Sequence, residues 1–323
     1  MRGSGFPFPL LLLFLFLFFF FLLTPHQAQA QAEHHLLPQF MPEESSAVSH
    51  RALIFTQPRA EFPNWLREMT GLSRWPGLDA PYVPAMKFDF RGIPEYARYD
   101  QQHCSRTYGV NSCSFDCGLC VGRNDIRHCH HLLQTFDDGP TPDTPTLLHY
   151  LKSSGSKVSF FVLGIQVVSF PDIFRSMHRE GHLLATHTYG HAHLPSLTTR
   201  EIVGQLQWSI WAMNATAGVI PRFFRPPFGG VDNRVRAIAE RLGLTVVVWD
   251  LDTNDWRLND RSRSAAEIGG QIRTWREGGV KGIMLEHDTT AATVEAGVWI
   301  SKLVGKTNYT VADCRELGMA WYQ

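Results

Sequence analysis

Thr135-Phe136-Asp137-Asp138-Gly139-Pro140 is the stretch on which the reading of this chain turns. It closes the apolar run Leu132 to Phe136, which reads as a short strand, and it ends in Asp-Gly and Gly-Pro, both ordinary turn pairs. Alone it is a turn. Two adjacent aspartates, however, are costly to bury unless a cation offsets them. His187-Thr-Tyr-Gly-His191 adds imidazoles four residues apart, a spacing that can point both to one side of a helical turn. Two histidines and one aspartate complete three protein ligands, and the second aspartate is left to take a proton from the cation's water. Thr188 stands where the metalloprotease pattern His-Glu-x-x-His needs glutamate, so the base has to come from Asp137 or Asp138. His193 is the weaker ligand candidate nearby. The chain reads as a metal-dependent hydrolase.

Working outward, the apolar runs Val158 to Leu163, His182 to Thr186, Phe223-Phe224, Thr245 to Leu251 and Gly282 to Leu285 read as further strands. Helix-like segments separate them. Thr198-x-x-Glu201 and Ser264-x-x-Glu267 match the capping box, and Ile202, Leu206, Ile210 and Met213 trace one helical face. Alternating β and α elements predict an α/β fold, a parallel sheet with outer helices, open or closed into a barrel. Catalytic groups in such folds collect at the C-terminal ends of strands. Asp137, His187, Arg225, Asp255 and His287 all fall at or soon after such an end. Arginine there can orient a carboxylate through charge-assisted hydrogen bonds, and a histidine polarised by a carboxylate such as Asp255 can serve as general acid.

The 323 residues are 44% hydrophobic, enough for a substantial core, and 30 basic residues balance 30 acidic ones. That balance gives no electrostatic footing for nucleic acid or an anionic membrane. Residues 1–32 read as a secretory signal peptide: Arg2 precedes a long apolar run, and the small residues around Ala30 and Ala32 offer cleavage sites. An uncleaved membrane anchor is the alternative. The mature chain is expected to be a soluble monomer, secreted to the extracellular space or cell wall. Residues 33–102, rich in Pro and polar residues and without periodicity, read as a poorly structured arm packing near the cysteine segment. Residues 103–323 form the catalytic domain with its Cys-rich lead-in.

Behind a signal peptide the even count of cysteines (Cys104, Cys113, Cys117, Cys120, Cys129 and Cys314) predicts disulfides. A zinc knuckle from Cys113, Cys117, Cys120 and Cys129 or His131 is the rival. If all six pair, Cys314 joins one of the other five and closes a loop on the order of two hundred residues. Asn214-Ala-Thr216 and Asn308-Tyr-Thr310 are N-glycosylation sequons that fit export.

Taken together, Thr135 to Pro140, His187 to His191, Arg225-Pro-Pro-Phe-Gly229, Asp255-Trp256 and Leu285-Glu-His287 resemble the five motifs of the polysaccharide deacetylases, the NodB-homology group of carbohydrate esterase family 4. The resemblance spans roughly Gln134 to Asp288 and is more specific than any single segment. The Cys-bearing lead-in and Trp75-Pro-Gly-Leu-Asp79 are similar to secreted fungal chitin deacetylases. The resemblance implies a distorted (β/α) barrel and a divalent metal, usually Zn2+ with Co2+ as an alternative, held by Asp138, His187 and His191. It implies further that Asp137 is the general base, held by Arg225, and that His287 is the general acid, tuned by Asp255. Phe228, Trp256 and Leu285 would line the substrate pocket, with a backbone N–H near Phe228 assisting at the oxyanion. Phe228 departs from the tyrosine of many relatives, and Glu286 adds a charge at a variable place. The implied reaction is N-deacetylation of chitin or chitin oligomers. Acetylxylan, peptidoglycan, a small cyclic amide, or chitin binding without turnover are the competing readings.

Overall fold

The computed structural model describes residues 60–95, 98–99, 104, 112–315 and 320–323. The expected leader over 1–32 and the first part of the arm lie outside the described residues. Among the described residues, no helix is long and apolar enough to cross a membrane.

Seven parallel strands form one sheet: β1 (Leu132–Asp137), β2 (Ser159–Val162), β3 (Leu183–Thr186), β4 (Phe223–Phe224), β5 (Thr245–Val246), β6 (Leu251–Asp252) and β7 (Gly282–His287). Their spatial order is β5-β4-β3-β2-β1-β7-β6. The helices in chain order are α1 (Asn64–Thr70), α2 (Phe115–Gly118), α3 (Thr144–Ser154), α4 (Gly164–Ser169), α5 (Pro171–Arg179), α6 (Thr199–Ala217), α7 (Asn233–Arg241), α8 (Ala265–Glu277) and α9 (Ala291–Val304). Both predicted capping boxes are formed, at Thr198 for α6 and at Ser264 for α8.

Thr245 to Leu251, expected as one strand, is two. Val246 ends β5 at one edge of the sheet and Leu251 begins β6 at the other. Five Cα–Cα steps of about 3.8 Å reach at most ~19 Å, so the two edges face each other and the sheet curls into a distorted barrel. Val247 and Val248 are buried without lying in a strand, which is why the valine run looked continuous.

Strand alternation then sorts the side chains. Leu133, Phe161, Leu183, Ala185, Phe223 and Ile283 share one core inside the curl, closed below by Val311 and Ala312. Phe136, Phe160, Val162 and Leu184 point the other way, toward the helices. Continuing the inward rows with period two reaches Asp137, His187, Arg225 and His287 at the strand ends.

The cysteines all pair, as Cys104–Cys117, Cys113–Cys120 and Cys129–Cys314, which leaves no thiolates for a zinc knuckle. Residues 60–95 are not the poorly structured arm expected of their composition. Phe62, Leu66, Trp75, Ala80 and Val83 are buried in the same core as Trp208 and Trp211 of α6. The Trp75 and Trp208 rings meet edge to face at 6.2 Å, and the Trp208 indole N–H donates to the Pro81 carbonyl at 2.7 Å. Leu66 comes from the short helix α1 and the other side chains from irregular chain around it, so no sustained periodicity marks the segment. Asn214 lies half-buried in α6, whereas Asn308 is exposed in the loop after α9.

Candidate active site

Asp137 is the last residue of β1 and pairs in register with His287, the last residue of β7. Equal register on adjacent strands puts both side chains on one face, two residues above Thr135 and Leu285. Arg225, fully buried one residue past β4, donates from Nη1 to Asp137 Oδ1 at 2.8 Å and to Thr135 Oγ1 at 2.8 Å. Its guanidinium lies over the Phe161 ring, 4.0 Å from the centroid, which holds the plane in place. Burial raises the Asp137 carboxyl to about 7 even though Arg225 pulls the other way.

Asp138 turns the chain sharply, with φ of 79°, before a cis Gly139–Pro140 peptide. Its Oδ1 lies 3.4 Å from His187 Nε2 and 3.3 Å from His191 Nε2. The His187 Nδ1–H donates to the Arg225 carbonyl at 2.7 Å. A carbonyl can only accept, so the proton sits on Nδ1 and the Nε2 lone pair faces Asp138. Burial, opposed by Asp138, lowers His187 to about 3, and burial likewise lowers His191. Burial thus disfavours the charged form of both imidazoles, and the neutral form is the one that ligates metals. Two neutral imidazole nitrogens and one carboxylate oxygen, all within 4.8 Å of one another, suit a divalent cation such as zinc.

The loop that carries His191 is built for this. Thr188 and His191 take positive φ (72° and 59°), an uncommon conformation for residues with a Cβ. Thr188 Oγ1 accepts from the His191 N–H at 3.1 Å, and Gln205 Oε1 from α6 accepts from the Gly190 N–H at 2.8 Å. A side chain at Gly190 would strike the Leu78 carbonyl, its Cβ arriving 2.4 Å away.

Asp255 is fully buried in a 3-10 turn after β6 and bonds to His287. Burial opposes a charge on His287, but Asp255, with Asp138 and Asp137 behind it, raises the imidazolium to about 10. Phe228 also has positive φ (58°), and its ring stands edge-on to His191 at 4.6 Å. Trp256 follows Asp255 half-buried in the same turn, and Leu285 is buried one step below His287. The sequence-predicted residues thus lie on the elements that converge at one end of the curl.

Glu286 and His193 stand outside the pocket, in keeping with the sequence reading of Glu286 as a charge without a catalytic role and His193 as the weaker ligand candidate. Glu286 points away from the pocket toward α9, where it accepts from Gln134 Nε2 at 3.1 and 3.2 Å. His193 lies outside the converging donor set. Residues that brace the site were missed, Gln205 above and Asp288 here. Asp288 accepts from the Gly139 N–H at 3.1 Å and from Thr144 Oγ1 at 2.6 Å, bracing the turn that carries Asp138. Its adjacency to His287 was the only hint in the sequence.

A family model for polysaccharide deacetylase matches residues 125–247. The chain is 49% identical over 255 residues to Chitin deacetylase 1 of Saccharomyces cerevisiae, an alignment covering 78% of this chain and 83% of that protein. The chain belongs to the polysaccharide deacetylase family. This deacetylase is also 45% identical over 287 residues to Chitin deacetylase 2 of the same yeast, covering 86% and 90% of the two chains. Among solved structures it resembles the chitin deacetylase of Colletotrichum lindemuthianum, with a TM-score of 0.55 at 28% identity over 62% of this chain and 95% of that one. It is a hydrolase, and the polysaccharide deacetylase family is metal-dependent.

Proposed function

We propose that this polysaccharide deacetylase removes N-acetyl groups from the N-acetylglucosamine units of chitin or chitin oligomers, releasing acetate. The observation that carries the reading is the facing pair Asp137 and His287, set beside the donor set Asp138, His187 and His191. The chitin deacetylases of yeast, at 49% and 45% identity, support the substrate.

Asp138, His187 and His191 would hold the cation, Zn2+ first and Co2+ as the alternative. When bound, it supplies Lewis acidity toward water and the acetyl carbonyl. Asp137 takes a proton from the attacking water, whose oxygen bonds to the carbonyl carbon. Arg225 keeps that carboxylate aimed. The oxyanion is met by a backbone N–H of the Phe228 turn, while Trp256 and Leu285 shape the space for the acetyl methyl. As the C–N bond breaks, His287 passes the Nε2 proton to the departing nitrogen, leaving acetate and a free amine. Asp255 keeps His287 charged and oriented for that step.

We assign the deacetylase domain to 103–323, with 33–102 as its N-terminal extension and 1–32 as a cleaved leader. Three disulfides support export to the extracellular space or cell wall. The test incubates the Zn2+-loaded protein with chitin oligomers, acetylxylan and peptidoglycan, and measures acetate and the deacetylated positions by mass spectrometry. Release from chitin oligomers above the other two is expected. Chitin oligomers bound but returned intact would overturn the catalytic reading.

A further inference from the structure

His193, two residues beyond the ligand candidate His191, is directed elsewhere. Its Nε2 lies 2.8 Å from Asp116 Oδ2, and the Asp116 side chain is 1% exposed. Asp116 Oδ1 also accepts from Ser114 Oγ at 2.5 Å and Tyr99 OH at 2.9 Å, so three side chains converge on one carboxylate. Asp116 belongs to α2, which the Cys104–Cys117 and Cys113–Cys120 disulfides bracket. This helical turn precedes the stretch matched by the family model.

The His193 ring also presses on the turn that presents Phe228. A Cβ at Gly230 would come within 2.8 Å of His193 Cδ2, and one at Gly229 within 2.8 Å of the Phe115 ring. The Phe115 N–H donates to the Val231 carbonyl at 3.0 Å. One side of His193 thus faces the lead-in, another faces the Phe228 turn, and its backbone continues the loop of His187 and His191.

We infer that Asp116 is a positioning residue of the metal-ligand loop, acting through His193, so that the disulfide-closed lead-in sets the geometry of both the ligand His191 and the Phe228 turn. A loop in an unfavourable backbone conformation keeps it only where its surroundings hold it, and His191 at φ 59° is such a case. The inference rests on the metal-dependent reading above.

The test compares wild type, Asp116→Ala, Asp116→Asn and His193→Ala. Zn2+ affinity is measured by competition with a chromophoric chelator, kcat and KM on chitin oligomers, and folding by circular dichroism. Asp116→Ala is expected to weaken Zn2+ binding roughly tenfold, the low end for supporting residues of metal sites, and to lower kcat with KM little changed. Asp116→Asn, which keeps the side-chain volume and an acceptor for Ser114 and Tyr99, should recover part of the loss. Combining Asp116→Ala with His193→Ala should weaken binding no further than His193→Ala alone. If Asp116→Ala does not fold, the same readouts on Asp116→Asn and His193→Ala decide. Folded variants with wild-type Zn2+ affinity and kcat, or with only a lower melting temperature, overturn the inference. A wild type that binds no Zn2+ would instead defeat the functional reading itself.

Discussion

Asp255 grips His287 at two points: Oδ1 accepts from the ring Nδ1–H and Oδ2 from the backbone N–H, each at 2.7 Å. One carboxylate thereby fixes ring orientation and strand-end geometry together, and it stabilises the charged imidazolium. Replacing Asp255 by Asn removes the charge and keeps the size. His287 should then lose its proton at lower pH, moving the alkaline limb of the kcat/KM profile down by on the order of one unit or more. A pH–rate profile in which that limb stays put would contradict the assignment of His287 as the acid.

Arg225 is buried with its cationic plane against Asp137 and Phe161. Arg225→Ala strands a buried carboxylate, and breaking such a pair costs about 3–5 kcal/mol. Urea denaturation should register that loss alongside a fall in acetate release. Lysine should not restore activity, because it lacks the flat guanidinium that stacks over Phe161 while bonding Asp137.

Chelation should abolish acetate release, and Zn2+ or Co2+ should restore it. Binding to the folded state also raises stability, by about 2.7 kcal/mol at a hundredfold excess over Kd. Asp138→Ala should lose the Zn2+-dependent rise in melting temperature. A wild-type midpoint indifferent to Zn2+ would refute the assigned ligand set.

Glu286 is buried behind the sheet. Burial first, and then the negative charge of Asp255, raise it well above the ordinary glutamate value despite the Gln134 hydrogen bonds. In the unfolded chain it ionises near pH ~4.3, so above that pH the folded state holds the extra proton. Stability therefore falls as pH rises toward the folded-state value, then levels off. Glu286→Gln removes this penalty, and its advantage over wild type in denaturation midpoints should widen with pH from about 5 upward. A difference independent of pH would show that Glu286 ionises alike in both states.

The Cys129–Cys314 bridge joins residues 185 apart and ties the C-terminal segment beneath the curl. Chain-entropy reasoning assigns it about 5 kcal/mol. Replacing both cysteines by serine should lower the urea midpoint accordingly, whereas reaction chemistry at the opposite end of the strands should persist in the folded fraction.

Much of this candidate site was legible because its residues stand at or just past strand ends. Strands buried on both faces read as mostly apolar runs, as β3 through Ala185 and β7 through Leu285 do and as β1 does apart from Gln134 and Thr135, and the polar residues that follow mark themselves. Residues that act by holding backbone gave no such mark. Gln205 and Asp288 satisfy the Gly190 and Gly139 N–H groups, and no spacing rule announces that. His193 carried the signature of a ligand, but its partner Asp116 is remote in sequence. Thr245 to Leu251 misled for a different reason: Val247 and Val248 are buried and paired only through an isolated bridge to Ile126, which gives the same valine-rich pattern as a continuous strand. Residues 60–95 were opaque because one short helix, α1, and the irregular chain around it fill the core one side chain at a time.

The crossing from Val246 to Leu251 works as a drawstring. Arg225 and the Phe228 turn stand on the β4–β5 side, while Asp255 and His287 stand on the β6–β7 side. Lengthening or shortening that crossing would change how far apart the two banks of the cleft lie without altering β1, β3 or β7. Because Arg225 on one bank aims Asp137 and Asp255 on the other holds His287, the length of that crossing ties the spacing of the banks to the aim of both proton-carrying groups.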